Sequence, residues 1–147
     1  MKINTIALAI GLAFSAGAIA QGVSEAEYKS GRAGIAAEYK SGKATCASFS
    51  GTRKDGSRGK IKRQICEAEA KGKRDVVRAE LEARYAPSTK NRDAVNTTKA
   101  KADYSVAKER CAEADHVKQV CLEEAKAVQT RAMAAAKERP TVSTSKP

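Results

Sequence analysis

Ala37-Glu38-Tyr39-Lys40-Ser41-Gly42-Lys43-Ala44-Thr45-Cys46 aligns with Ala102-Asp103-Tyr104-Ser105-Val106-Ala107-Lys108-Glu109-Arg110-Cys111, and both read A-[ED]-Y-x3-K-x2-C. The match resumes at the next cysteine of each copy, where Gln64-Ile65-Cys66 mirrors Gln119-Val120-Cys121. Agreement at tyrosine, lysine, both cysteines and the Gln-aliphatic-Cys flank marks one supersecondary unit used twice. Each unit is a helical run, a cysteine, a spacer, a cysteine and a second helical run. The expected fold is all-α, two tandem disulfide-stapled helical hairpins. Its four helices either pack as a small bundle or stay loosely extended.

Four cysteines allow three pairings. The repeat favours Cys46–Cys66 and Cys111–Cys121, one staple at the neck of each hairpin. The spacers differ, at 19 residues in the first unit and 9 in the second. The second spacer, Ala112 to Val120, contains neither Gly nor Pro. If it stayed helical, Cys111 and Cys121 would stand about 15 Å apart along the axis, whereas a disulfide needs Cα atoms within about 7 Å. Either the chain reverses near Asp115-His116, or one long helix runs through and the pairs cross between units. Local pairing is the expectation. With no C-x-x-C, a thioredoxin-like centre is unsupported. His116 is the only histidine, so zinc lacks the ligand set it needs, and no cofactor is expected.

The first twenty residues read as a secretory signal peptide: Met1-Lys2, an apolar Ile6–Ala20 stretch, and the A-x-A site Ala18-Ile19-Ala20. The expected mature chain begins at Gln21 in an oxidising compartment, periplasmic or secreted, where the cysteines can pair. The expected organisation is signal peptide 1–20, hairpin unit 21–86, hairpin unit 87–139 and a polar disordered tail 140–147. No segment after Ala20 is long or apolar enough to span a membrane.

After Ala20 the chain has 15 Leu, Ile, Val and Phe against 23 Ala. So few bulky residues bury little area, and folding must lean on strong helix formers and covalent staples. Helices are expected over about Ser24–Cys46, Lys62–Tyr85, Thr89–Cys111 and Val117–Glu138. Glu27-Tyr28-Lys29-Ser30-Gly31 recurs at Glu38-Tyr39-Lys40-Ser41-Gly42, eleven residues on. This puts Tyr28, Ile35, Tyr39 and Cys46 on one stripe, read as a core seam. Val77, Leu81 and Tyr85 form the second stripe; Val117, Cys121, Ala125, Val128 and Ala132 form that of the last helix. Glu67–Lys71, Glu69–Lys73 and Glu80–Arg84 are spaced for i, i+4 ion pairs. Pro87 ends the second helix, and Ser88 or Thr89 caps the third.

The formal net charge is +11. Arg53, Lys54, Arg58, Lys60, Lys62 and Arg63 crowd the first spacer, opposed by Asp55 alone. The stretch Gly51–Lys60 has the composition of a basic surface loop, suited to polyanions through many weak contacts and counterion release. It has no aromatic residue between Arg53 and Arg63, so a stacking platform for nucleic acid is not expected. Catalytic motifs are missing: no phosphate-binding Gly motif, no HExxH and no partner set for a Ser-His-Asp triad. An enzyme is not expected.

The pieces A-E-Y-K-S-G-K-A-T-C, K-R-Q-I-C-E-A-E-A-K-G-K, R-A-E-L-E-A-R-Y-A-P-S, A-D-Y-S-V-A-K-E-R-C and V-C-L-E-E-A-K-A resemble small exported, Ala/Lys-rich betaproteobacterial proteins with paired cysteines. Some of these are labelled hypothetical, others TolA-like cell envelope proteins. The resemblance implies an exported helical protein and supplies no catalytic residue. The chain departs from the group in its long basic first spacer and in a second spacer without a Gly-Asn turn. The expected role is structural or interaction work in the cell envelope, with an anionic envelope component or another envelope protein as partner. The alternatives are a binder of lipopolysaccharide or anionic lipid, and a periplasmic chaperone. The oligomeric state is left open.

Overall fold

The computed structural model describes residues 22–49, 56–113 and 117–138. The expected signal peptide, Arg53, Lys54, His116 and the expected tail lie outside the described residues. The chain forms four helices: α1 Glu25–Ala47, α2 Gly56–Tyr85, α3 Thr89–Arg110 and α4 Lys118–Glu138. A 3-10 turn, Cys111–Glu113, follows α3. The described residues contain no strand. Disulfides join Cys46 to Cys66 and Cys111 to Cys121, with Cα atoms 5.5 and 5.6 Å apart.

Local chemistry accounts for most helix ends. Ser24 caps α1 in a capping box: its Oγ accepts from the Glu27 N–H at 3.3 Å, and its own N–H donates to Glu27 Oε2 at 2.9 Å. The Ser24 hydroxyl also donates to Glu27 Oε2 at 2.6 Å; this bond first, and then the one from the Ser24 N–H, holds the Glu27 carboxyl below its ordinary range. Ser88, not Thr89, caps α3, accepting from the Asn91 N–H at 3.1 Å. Pro87 lies between α2 and α3 and disfavours helix in the residue before it. The second spacer reverses direction: α3 stops at Arg110, the 3-10 turn starts at Cys111, and α4 begins at Lys118. Lys108 and Arg110 in the last turn of α3 complement its negative dipole end.

The packed pairs are α1–α2, α2–α3 and α3–α4, each antiparallel. The arrangement is therefore an open layer, not the closed bundle, in which α4 would return to α1. Helical geometry explains it. Ala70 faces Gly42 of α1. Gly72, two residues on, faces Ala102 of α3. Two residues turn a helix by about 200°, so α1 and α3 lie on opposite sides of α2. The same step on α3 separates Ala102, toward α2, from Tyr104, which shares a groove with Leu122 and Lys126 of α4.

A layer one helix thick buries little. Its buried apolar side chains among the described residues are Cys46, Leu81, Ala100, Cys111 and Ala136. The expected α1 stripe is confirmed as a seam: Tyr28, Ile35 and Tyr39 are half-buried and Cys46 is fully buried. The eleven-residue echo has its answer on α2. Tyr28 stacks on Tyr85 with centroids 4.3 Å apart, and Tyr39 lies under the Arg74 guanidinium at 4.3 Å; Arg74 and Tyr85 are themselves eleven residues apart.

Two expected patterns differ in the structure. On α4 the face toward α3 is Leu122, Ala125, Gln129, Met133 and Ala136, whereas Val117 and Val128 are 58% and 54% exposed. The ion pairs also run differently: Glu67 meets Arg63 at 3.2 Å, Glu69 meets Arg110 of α3 at 2.7 Å, and Lys73 meets Glu38 of α1. Two of these three tie neighbouring helices across the layer.

Candidate anion-binding end

Both staples lie at one end of the layer. The antiparallel order brings the start of α2 beside the end of α3, as the Glu69–Arg110 pair shows. The α2–α3 connection and Gly22, which lies against the Arg84 and Tyr85 carbonyls, occupy the other end.

α2 begins ten residues before Cys66, at Gly56. At 1.5 Å per residue its first turns extend about 15 Å past the staple. Arg58, Lys60, Lys62 and Arg63 are all exposed on this segment. The expected loop Gly51–Lys60 is thus helical from residue 56 onward. Gly56 and Gly59 disguise this, since each is about 1 kcal/mol poorer than Ala in a helix. The available sequence signal is Asp55, a residue type favoured directly before a helix.

The helix distributes its charges around its circumference. Arg58 and Lys62 lie within about 40° of each other, while Lys60 falls about 200° from Arg58. Arg63 is engaged by Glu67. The first turn of α2 holds no acidic residue. Cations therefore sit at the helix end whose dipole is already positive, and an anion there relieves both. Phe49, just past α1, is 41% exposed at the same end; nothing in the charge pattern points to it.

The Tyr28 hydroxyl donates to Glu82, and that bond, followed by desolvation, raises the Tyr28 pKa above 10.0. Arg32 lies 5.8 Å from the Tyr28 ring centroid. A groove of about 700 Å3 runs along one face of the α2–α3 seam, with Lys71, Asp75, Arg78 and Glu82 among alanines. A second, of about 520 Å3, lies along the seam between Val76, Val106 and Arg110. Gly72 lets the helices meet closely between the two grooves, and no further described helix covers either. Among the described residues no group of three or more His, Cys, Asp or Glu could hold a metal. No described helix is long and apolar enough to cross a membrane.

No protein-family model, curated protein or solved structure matches this chain.

Proposed function

We propose that this protein is exported to the periplasm and has a structural or interaction role in the cell envelope, by binding and not by catalysis. The observation that carries this reading is the stapled open layer: two hairpins covalently closed at one end, with helix edges and both faces of the α2–α3 seam left for partners. The signal-like N-terminus, the disulfides and the resemblance to paired-cysteine envelope proteins agree with that location. An affinity capture from envelope extract, run with oxidised and with reduced protein, tests it. A partner held only by the oxidised form is the expected result. Equal recovery from both forms, or a cytosolic precursor with its N-terminus retained, would count against it.

A second reading, binding of envelope polyanions, is favoured by the position of Arg58, Lys60, Lys62 and Arg63 on a projecting positive helix end. Affinity for lipopolysaccharide or anionic vesicles should fall steeply with salt. Replacing these four residues with Ser should weaken that binding and flatten its salt dependence. The chaperone reading lacks comparable support, because the grooves carry charged walls where an unfolded client needs an apolar concavity.

A further inference from the structure

Among the described helices α4 packs on α3, so its far side is an outer edge of the described layer. Three of the exposed large apolar side chains are on that side: Val117 at 58%, Val120 at 55% and Val128 at 54%. They belong to a strip with Glu124, Ala127, Arg131 and Ala135, spaced three or four residues apart and all exposed. This strip lies about opposite Leu122, Ala125, Gln129 and Met133, which face α3.

Glu124 and Arg131 have no charged residue three or four positions away on their own helix. Neither makes an ion pair among the described residues. A second α4 laid antiparallel, centred between Ala127 and Val128, supplies what each lacks. In that register Glu124 meets Arg131 of the second copy, and the reverse pair forms by symmetry. Val120 meets Ala135, and Val128 meets Ala127. A parallel pairing instead sets Glu124 against Glu124 and Arg131 against Arg131. The strip is thus self-complementary under a two-fold axis, the property an isologous dimer requires, and its alanines allow close helix approach.

We propose that the outer edge of α4 binds a second copy of this chain, forming an antiparallel dimer that continues the layer from four helices to eight. One helix pair offers less than about 1,200 Å2 of contact, the range of weak, reversible interfaces. The dimer therefore forms with rising concentration.

Sedimentation equilibrium of the disulfide-intact protein, up to about 1 mM, tests this. The parent should show a monomer–dimer equilibrium. E124R and R131E should each weaken it by about tenfold or more, because each turns two attractions into two repulsions. The double variant E124R/R131E should return to within about threefold of the parent, with the charges exchanged across the axis. V128E, which brings two carboxylates to the axis, should leave monomer. Circular dichroism should match the parent throughout, since all three sites are exposed. A monomeric parent over the whole range would overturn the proposal. So would a dimer indifferent to the single reversals, or a double variant no better than either single.

Discussion

Hairpin 1 (α1–α2) and hairpin 2 (α3–α4) share a staple and a register but fill them with different side chains. Leu81 stands fifteen residues after Cys66 and Ala136 fifteen after Cys121; each is 4% exposed. Fifteen before Cys46 is Gly31, against which Leu81 lies; fifteen before Cys111 is Asn96. Eleven before the same cysteines stand Ile35 and Ala100. Hairpin 1 adds the Tyr28–Tyr85 stack and the Arg74–Tyr39 contact. Hairpin 2 turns its valines outward. The staple sets which residues meet, and the side chains decide how much of the hairpin survives without it.

The largest test of that contrast is removal of each staple. Loops of this size contribute roughly 3 kcal/mol each in the chain-entropy treatment, a large share of the usual stability of about 5–15 kcal/mol. C111A/C121A should release α4, seen as fast amide exchange along Lys118–Glu138. C46A/C66A should cost similar free energy yet leave more protection in α1, because its tyrosines still pack. Equal loss of protection in α1 and α4 would end the distinction.

Next in size are the matched buried positions. Leu81→Ala should cost about 2–3 kcal/mol by denaturant unfolding, at the low end for a buried leucine because the layer is thin. Ala136→Leu should also destabilise, by about 1–3 kcal/mol, since hairpin 2 offers no glycine opposite to admit the larger side chain. A stabilised Ala136→Leu protein would mean that hairpin 2 has unused room.

A smaller effect compares glycines. A Cβ at Gly72 would stand 3.0 Å from the Ala102 Cβ, so Gly72→Ala must push the hairpins apart. At Gly34 nothing lies within 4 Å, and Gly34→Ala should gain about 0.5–1 kcal/mol from helix propensity. Thermal melting should shift down for the first and up for the second.

The smallest effect is alkaline. The Tyr28 pKa is raised above 10.0 by its bond to Glu82. Its support for hairpin 1 is complete below that pH and is lost as pH rises through the raised value. Tyr28→Phe should remove this part of the alkaline dependence of melting, as thermal melts recorded across the alkaline range would show.

Hairpin 1 was the more legible of the two in the sequence. Tyr28, Ile35, Tyr39 and Cys46 have few apolar competitors on α1, so their stripe points one way. α4 is alanine-rich all round, and counting apolar residues there favours the valines. Its orientation instead follows from Cys121, which must reach Cys111, and from Leu122 and Met133 turned with it. The ion pairs differ for a related reason: spacing along one helix cannot show that Arg110 or Glu38 arrives from a neighbour. The basic cluster was legible as charge. Its helical setting was hidden by Gly56 and Gly59, whose poor propensity is outweighed in this fold.

The common end of the two staples also has a mechanical consequence. Tension applied at the opposite end would part each hairpin turn by turn, and every rupture would stop at a cystine. The bonds bypass separations of 20 and 10 residues, withholding about 100 Å of contour at roughly 3.4 Å per residue. In an oxidising compartment the chain is then a tether with a fixed maximum extension, and reduction is what lengthens it.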